Sequence, residues 1–457
     1  MSHPNPSPVD TPPPLADVPR ERPGARLWWA IIVLGLVGQL AWTVENMYLN
    51  VFLYETVTPD PTAIATMVAL SAIAATGATI IVGAWSDRLG KRRVFIALGY
   101  LAWGICTAAF GLLAPAEGVV AAPYVFAAVV AIIALDCVMS IFGSGANDAA
   151  FGAWVTETTT PRTRGRIDGV LAVMPLIAML LVFGALDGLT RAGEWRLFFA
   201  IVGGVTSLAG VLAWFLVRDV PRPADAASGP STLARVVQGF RPSTIRVNPA
   251  LYLSLLIWLV VGTSSQVFLP YVIIYLQRWL QIESYAIVLG ASLIAASVIS
   301  ILGGRVMDRV GKRRMLLPAV AMFALGLVLM FVARDMVFVI VAASLALGGM
   351  MLGVASISAT VRDLTPVGEA GMVQGLRMVT AIMVPMIVGP FIGAWVITGA
   401  GQTYVDLGVV KPVPGPEMFI AAALVLVVVP VVAFFRARVE RAATAAEPGA
   451  SGASGER

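Results

Sequence analysis

Apolar runs long enough to cross a bilayer recur along almost the whole chain. A helix needs roughly 20 residues to span about 30 Å of hydrocarbon, and on that measure the hydropathy pattern predicts twelve spans. Their expected limits are residues 28–54, 64–85, 94–114, 123–149, 168–190, 196–217, 250–277, 285–304, 315–333, 336–361, 372–398 and 417–436. The pattern therefore predicts an all-α polytopic membrane protein.

Polar segments divide this pattern into two groups of six spans. We expect a disordered, proline-rich cytoplasmic tail, a first six-helix half, a polar and basic cytoplasmic linker, a second six-helix half and a second disordered cytoplasmic tail. These segments cover residues 1–26, 27–218, 219–249, 250–437 and 438–457 respectively.

Composition supports the membrane assignment and excludes several functions. The 457 residues are 58% hydrophobic and 12% charged, with a mean hydropathy of +0.87, whereas a soluble domain carries roughly 25% charged residues. Cys106 and Cys137 lie in separate predicted spans, and the single histidine is His3. These residues do not favour a disulfide framework, a zinc site or histidine-based catalysis. We therefore expect no enzyme, no metal or other cofactor and no nucleic-acid partner.

The basic residues predict the orientation of the chain in the bilayer. All but five of the 31 Lys and Arg residues fall in or near the segments on the side of the two termini. The five exceptions are Arg191, Arg196, Arg278, Arg334 and Lys411. Because cytoplasmic loops are enriched in Lys and Arg, we expect both termini in the cytoplasm. We also expect the chain to be a monomer and to lie in the cytoplasmic (plasma) membrane.

The two predicted halves share a loop motif. "GAWSDRLGKRR" at 83–93 follows the second predicted span, and "GRVMDRVGKRR" at 304–314 follows the eighth. A weaker similarity relates "TETTTPRTRGR" after the fourth span to "RDLTPVGEAG" after the tenth. A repeat of two membrane halves is typical of transporters whose site lies between them.

These loops resemble the most characteristic motif of the major facilitator superfamily, and the twelve-span pattern extends the resemblance over about residues 27–437. The resemblance implies the fold of that superfamily and a cytoplasmic latch that holds the halves together in the outward-facing state. The latch residues are Gly83, Asp87, Arg88, Gly90 and Arg92 in one loop, Gly304, Asp308, Arg309, Gly311 and Arg313 in the other, and Arg377 as partner of Asp87. The alternatives are that the basic residues of the loops only fix topology and that Arg377 only extends to the interface.

A narrower resemblance concerns the glycoside, pentoside and hexuronide cation symporters, including the sucrose–proton symporter branch. It rests on "GAWSDRLGKRRVFI", on Gln39 and Trp42 of "GQLAWTVE", and on "NDAAFGAWVTETTTPRTRGR" at 147–166. In that family an acid near the cytoplasmic end of the fourth span takes part in cation coupling, which implies this role for Asp148. Melibiose-permease-like members carry two aspartates in the second span, where this chain has Ala75 and Thr79. This departure favours a proton over sodium.

A polar stripe runs along the first predicted span. At 100° per residue, Gln39, Trp42, Asn46 and Asn50 fall within about 100° of one another. Such a stripe is expected to line a water-filled cavity or an interface between spans, because lipid cannot satisfy its polar groups. Glu45 lies at its edge. A charge at mid-bilayer costs about 2.5–3.5 kcal/mol, so Glu45 is a candidate proton carrier, with a structural hydrogen bond as the alternative.

The remaining candidates complete the predicted site. Asp136 is a third possible coupling acid, and the interiors of the second-half spans contain no acid, so coupling is expected in the first half. The predicted solute contacts are Gln39, Trp42, Asn46, Asn50, Asn147, Gln266, Tyr271 and Tyr275. The sequence thus predicts a proton-coupled symporter of a small organic solute such as a sugar. The alternative is a drug–proton antiporter, but "LAVMPLIAMLLVFGALDGL" in the fifth span lacks the Gly-Pro motif typical of exporters.

Overall fold

The computed structural model describes residues 24–115, 120–220, 237–366, 369–406 and 409–445. Within these ranges twelve helices are long and apolar enough to cross a membrane, as predicted. Numbered as spans 1 to 12, they are Ala25–Thr56, Pro61–Leu89, Arg92–Leu113, Ala122–Thr158, Thr163–Arg191, Trp195–Leu216, Pro249–Trp279, Tyr285–Val310, Lys312–Val332, Met336–Leu364, Gly371–Ala400 and Glu417–Ala442. The fold is therefore twelve transmembrane helices in two six-helix halves.

The segments outside the spans differ in detail from the expectation. The last helix, Val428–Ala445, continues past residue 438, where we placed the start of the second disordered tail. Glu440 anchors this part of the helix, because its Oε2 lies 2.9 Å from Nη1 of Arg313 at the start of span 9. Between the halves a short helix, Pro242–Val247, begins at a proline. Residues 1–23, 221–236 and 446–457, on which the rest of the tail and linker predictions fall, lie outside the described residues.

An even number of spans in each half gives the molecule two distinct faces. Residues 24, 220, 237 and 445 share one face, which we call the terminal face. On the opposite face, strands β1 (Thr403–Asp406) and β2 (Val409–Pro412) pair antiparallel between spans 11 and 12. We call this side the hairpin face.

Small residues allow the helices of each half to pack closely. A Cβ at Gly203 of span 6 would meet the backbone of Gly104 and Ala108 in span 3, and Gly326 of span 9 lies equally close to Ala346 of span 10. Lipid tails are as apolar as the helices, so the hydrophobic effect does not drive helices together inside a bilayer. Close packing of this kind is then a main source of helix association. The two halves contact each other through spans 2 and 11, spans 5 and 8, and spans 1 and 7.

Several spans are interrupted by short segments of different helical pitch. The described π-helical segments are Val44–Tyr48 in span 1, Ser144–Phe151 in span 4, Val182–Leu186 in span 5, Tyr275–Trp279 in span 7 and Val379–Met383 in span 11. The α-helical parts of these spans are Ala25–Thr43, Leu49–Thr56, Val125–Gly143, Gly152–Thr158, Pro161–Leu181, Asp187–Arg191, Pro249–Phe268, Val272–Ile274, Ala370–Met378 and Val384–Ala400. Such widened turns are frequent at functional sites, and here they carry Glu45, Asn147 and Asp148.

Candidate functional site

A cavity lies between the two halves, on the side of the terminal face. It consists of two adjoining volumes of about 450 and 190 Å³, which we together call the central cavity. The larger volume is lined by Gly35, Gln39, Thr79, Asn147, Asp148, Phe151, Gly152, Leu171, Met174, Gln374, Arg377, Met378 and Ile382. The smaller one shares five of these residues and adds Trp42, Glu45, Asn46, Ser71, Ala72, Ala75, Thr76, Ser144 and Met386. The first half provides most of the polar lining, and span 11 provides the facing wall.

Asp148 lies inside the helical bundle but is accessible from the cavity. The Asn147 amide donates to its Oδ1 at 3.0 Å. The Tyr100 hydroxyl lies 2.8 Å from both Asn147 Oδ1 and the Leu34 carbonyl oxygen, so that it donates to one of them at a time. Gly38 makes room for this arrangement, since a Cβ there would come within 2.5 Å of Asn147 Oδ1. Asp148 is therefore a positioned carboxyl group in contact with the cavity.

Glu45 and Asp136 form a second, more deeply buried pair of acids. The Ser140 hydroxyl donates to Glu45 Oε1 at 2.7 Å. In the described part of the chain, Glu45 Oε2 and Asp136 Oδ1 are buried without a hydrogen-bond partner. Asp136 is 1% exposed and does not line the cavity, whereas Glu45 does. Because an unpaired buried carboxylate is strongly disfavoured relative to its neutral form, these two groups are suited to holding a proton.

The polar stripe of span 1 has two different surroundings. Gln39, Trp42 and Asn46, which are among the predicted solute contacts, line the central cavity. Asn50 is fully buried and its amide donates to the Asn46 carbonyl at 2.8 Å, so it lies outside the cavity. The Asn46 amide similarly donates to the Trp42 carbonyl. Part of the stripe thus satisfies backbone groups in and beside the π-helical segment of its own span.

The second-half residues predicted to contact solute lie away from the cavity in this conformation. The Tyr271 hydroxyl lies 3.1 and 2.9 Å from the backbone oxygens of Pro61 and Pro390, so that it donates to one of them at a time. Tyr275 is fully buried, with its ring edge against Phe419. Gln266 packs against Gly389 of span 11 and is absent from the lining of the cavity. In this conformation Tyr271 packs between the halves and does not line the central cavity.

Arg377 occupies a different position from the one expected for a latch partner. Its guanidinium lies 5.4 Å from the centre of the Trp258 ring and lines the central cavity. Asp87, its predicted partner, forms an ion pair with Arg92 of its own loop. The expected Asp87–Arg377 pair is therefore replaced here by two separate contacts, because Arg377 is directed into the bundle.

The repeated loops attach to neighbouring spans of their own half. Gly90 has a left-handed backbone (φ +64) that ends span 2, and Arg92 reaches Glu157 at the end of span 4 at 2.8 Å. In the second copy, Gly311 also has a positive φ (+98), and Lys312 pairs with Asp363 at the end of span 10. The partners Glu157 and Asp363 fall in the two weakly similar segments, so equivalent segments of the two halves hold the two loops.

The other predicted latch residues show the same intrahalf arrangement. Arg313 pairs with Glu440, while Asp308 and Arg309 are exposed and have no ion-pair partner within the described ranges. The two glycines at the motif starts differ: a Cβ at Gly83 would touch Ala149, and one at Gly304 would meet open space. Arg88 lies exposed in the last turn of span 2.

Contacts between the halves close the hairpin face. The Arg278 Nε donates to Glu55 Oε1 at 2.8 Å, which joins spans 7 and 1. The Tyr54 hydroxyl donates to the Pro412 carbonyl of β2 at 2.6 Å. Tyr404 of β1 lies under Arg278, 5.6 Å from its guanidinium carbon, and burial raises the pKa of this phenol. A separate cavity of about 740 Å³ on this face shares no lining residue with the central cavity.

A buried acid at this closed face was missed by sequence reasoning. Asp187, which lies at the start of the last turn of span 5, is 1% exposed. Its Oδ1 accepts from Tyr48 of span 1 at 3.0 Å and from Tyr285 of span 8, and its Oδ2 lies 3.0 Å from Arg191. A position near the end of a predicted span gives no sign of such burial. The two tyrosines, which are distant in sequence, are what bury it.

A known protein family matches most of the chain. The family model of the Major Facilitator Superfamily matches residues 31–278 and 259–454. No curated protein matches the sequence. The combined matches cover well over half of the chain, including both copies of the loop motif.

Solved structures with the same fold share little sequence with it. A mutant of the nucleoside transporter NupG superimposes with a TM-score of 0.70 at 14% identity, covering 90% of this chain and 99% of that one. A bacterial homologue of the human lysosomal transporter Spinster, inward-facing and unoccupied, gives 0.67 at 15% identity, with 91% and 98% covered. The xylose transporter XylE from E. coli, partially occluded and inward open, gives 0.63 at 14% identity, with 91% and 98% covered.

Proposed function

Because the chain belongs to the Major Facilitator Superfamily, we propose that it is a secondary active transporter that carries a small polar organic solute by alternating access, with proton symport. One observation carries this proposal: a cavity between the two halves that presents a positioned carboxyl group, Asp148, and is closed at the opposite face. Such a cavity can exchange its contents with one side of a membrane at a time.

The conformation supports alternating access. The contacts described above that cross between the halves, such as Glu55 with Arg278 and Tyr271 with Pro61, lie toward the hairpin face. The loop contacts Arg92 with Glu157 and Lys312 with Asp363 each stay within one half. The cavity is therefore accessible from the terminal face. We assign this face to the cytoplasm from the distribution of Lys and Arg, which makes this state inward-facing.

The polar lining supports a hydroxylated or amide-bearing solute. Gln39, Asn46 and Asn147 provide amide donors and acceptors, and Trp42 provides an aromatic face. Sites for small molecules typically combine a few such polar groups with apolar walls. The structural similarity to a nucleoside transporter and a xylose transporter is consistent with this class, and a sugar of the kind taken by glycoside and pentoside symporters is our first candidate.

The acids support coupling to protons rather than to sodium. Sodium prefers several oxygen ligands around one point, whereas at the second-span positions expected for such ligands the cavity has Ala75 and Thr79. The Thr79 hydroxyl donates to the Ala75 carbonyl at 2.9 Å. Asp148 faces the cavity, and Glu45 lies deeper in it, so that a proton and a solute can enter from the same side. We propose Asp148 as the coupling group and Glu45 as the second candidate.

Export of an amphipathic drug in exchange for protons is the alternative function. The apolar wall formed by Met174, Met378, Ile382 and Met386 suits such a ligand. The guanidinium of Arg377 beside this wall disfavours the cationic compounds that drug exporters commonly carry. We therefore favour uptake.

Transport by purified protein in proteoliposomes tests this proposal. A pH gradient, acidic outside, should drive accumulation of the transported member of a panel of labelled sugars, nucleosides and cationic drugs. A protonophore should abolish accumulation without preventing equilibration. Accumulation that ignores the pH gradient, or loss of a preloaded cationic drug as protons enter, would contradict proton symport.

A further inference from the structure

Span 11 brings one charge into a wall that is otherwise uncharged. It contributes Gln374, Arg377, Met378, Ile382 and Met386 to the central cavity. Among the described lining residues from the second half, Arg377 alone carries a charge. The acids of the cavity, Asp148 and Glu45, come from the first half, on the facing wall.

The guanidinium of Arg377 has no acidic partner within 4.0 Å in the described part of the chain. Two other arginines of the terminal face are paired, Arg92 with Glu157 and Arg313 with Glu440. A charge inside the membrane region is costly, and such charges normally pair with one another or mark a substrate pathway. Because Arg377 lines the cavity, we expect its counter-charge on a molecule that binds there.

The side chain is held in the bundle instead of extending to the membrane surface. Arg377 lies six residues after Gly371, the first residue of span 11, which places its Cα about 9 Å along the helix axis. Its guanidinium stacks near Trp258, nine residues into span 7. A cation over an indole ring is stabilised, so Trp258 supports the group from one side. The planar fork is then oriented for a ligand that binds in a bidentate manner.

We propose that Arg377 is an anion subsite of the central cavity, and that the transported solute carries one carboxylate or a group of similar charge and shape. This inference rests on the proposed function and specifies its solute. Gln374, about one turn before Arg377, adds amide donors beside it. Met378 and Ile382 contact the apolar part of the solute, and the amides of Gln39 and Asn147 contact its hydroxyl or amide groups.

The charges of the cavity connect anion binding with the proton. The ionisable groups near Asp148 are Glu45 of span 1, Tyr100 of span 3 and, across the cavity, Arg377. Asp136 lies farther away, beside Glu45, and Arg362 of span 10 is the charged neighbour of Arg377. An anion entering beside an ionised Asp148 would be repelled, and a proton on Asp148 removes this repulsion. A carboxylate and a proton therefore enter together without adding net charge to the cavity.

Ligand binding to the purified full-length protein tests this inference without any transport step. Gluconate, lactate and benzoate are compared with their uncharged counterparts sorbitol, propane-1,2-diol and benzyl alcohol at constant ionic strength. Binding is measured by the shift in the midpoint of thermal unfolding and by the change in tryptophan fluorescence. At least one carboxylate should bind the wild type at least ten-fold more tightly than its counterpart. Arg377→Gln should abolish this preference, and Arg377→Lys should retain part of it, since the charge remains and the bidentate geometry is lost.

Arg305→Gln is the matched control, because Arg305 is an exposed arginine of span 8, outside the cavity lining. It should keep the full preference. Equal binding of the acids and their counterparts, no carboxylate binding across the panel, or an unchanged preference in Arg377→Gln would overturn the inference. If carboxylates bind through Arg377 but carry no protons into proteoliposomes, the anion subsite stands and the proposed proton symport fails.

Discussion

Four acidic residues that are buried or face the central cavity have different roles. Asp148 contacts the cavity and is held by Asn147, whereas Glu45 is bound by Ser140 and Asp136 lies behind it. Asp187 joins spans 1, 5 and 8 at the closed face. The sequence indicated Glu45 and Asp136 by their depth in predicted spans, and Asp148 by a family resemblance. Their partners come from other spans, so the division between coupling and structural acids depends on the tertiary fold.

The hydrogen bond from Ser140 to Glu45 should contribute measurably to stability. Ser140→Ala would leave both oxygens of Glu45 without a donor, and we expect a loss of about 1 kcal/mol, measured as a lower midpoint of thermal unfolding in detergent. Ser297→Ala is the control, because Ser297 donates only to the Leu293 carbonyl of its own helix. Equal midpoints for the two variants would show that the Ser140 contact has no energetic role.

At the scale of elements, the number and approximate positions of the spans could be predicted, but some of their ends, such as Thr158 of span 4 in place of residue 149, and their internal irregularities could not. Hydropathy located all twelve helices because about 20 apolar residues are required in any bilayer. The π-helical segments at Val44–Tyr48 and Ser144–Phe151 have no such pattern, because a widened turn changes the register of the backbone hydrogen bonds and not the hydropathy of the segment. The positions of Tyr271 and Arg377 could not be predicted either, because their partners lie on spans far away in sequence.

Close packing between spans 3 and 6 predicts a sharp contrast between two adjacent glycines. Gly203→Ala should destabilise the protein by about 1–3 kcal/mol, because the added Cβ would overlap the backbone of span 3. Gly204→Ala adds its Cβ to open space and should be close to neutral. Thermal unfolding of the two variants is the measurement, and similar midpoints would contradict this packing.

Water access to span 2 should follow the same element-scale geometry. After replacement of Cys106 and Cys137 by alanine, Thr79→Cys should react with a membrane-impermeant thiol reagent from the terminal face, because Thr79 lines the cavity. Ile81→Cys should react far more slowly. Ile81 is 64% exposed, but it lies on the outer surface of the bundle, where lipid surrounds it, and is not part of the cavity lining. Comparable rates at both positions would place the cavity elsewhere.

At the scale of the whole molecule, the two faces are held by different kinds of contact. The hairpin face is joined across the halves by Glu55, Arg278 and Tyr271, while the loop motifs of the terminal face hold elements of their own half. The repeated motif revealed the two halves from sequence. It did not reveal which conformation the chain adopts, because either face can close with the same helices.

Weakening the hairpin-face ion pair should shift the population toward the opposite conformation. Glu55→Gln removes a partly buried pair worth about 1 kcal/mol, and roughly a five-fold shift is expected. In Thr79→Cys protein, labelling from the terminal face should slow and labelling from the hairpin face should increase. Arg313→Gln, whose pair with Glu440 stays within one half, should change neither rate. Asp87→Ala should shift the population toward the inward-facing state, because Asp87 is a predicted latch residue of the outward-facing state. Unchanged rates in Glu55→Gln would refute the role of this contact in closure.

The central claim is that a proton moves with the solute through Asp148, and proton uptake per solute in proteoliposomes tests it most directly. Wild-type protein should acidify the lumen of vesicles when the transported solute is added outside. Asp148→Asn should bind the solute and exchange it at equilibrium but bring in no protons, because the solute contacts remain and the acid is gone. Glu45→Gln and Asp136→Asn are measured in parallel to identify structural acids by their loss of stability. If Asp148→Asn kept the wild-type ratio of protons to solute, the account would be contradicted.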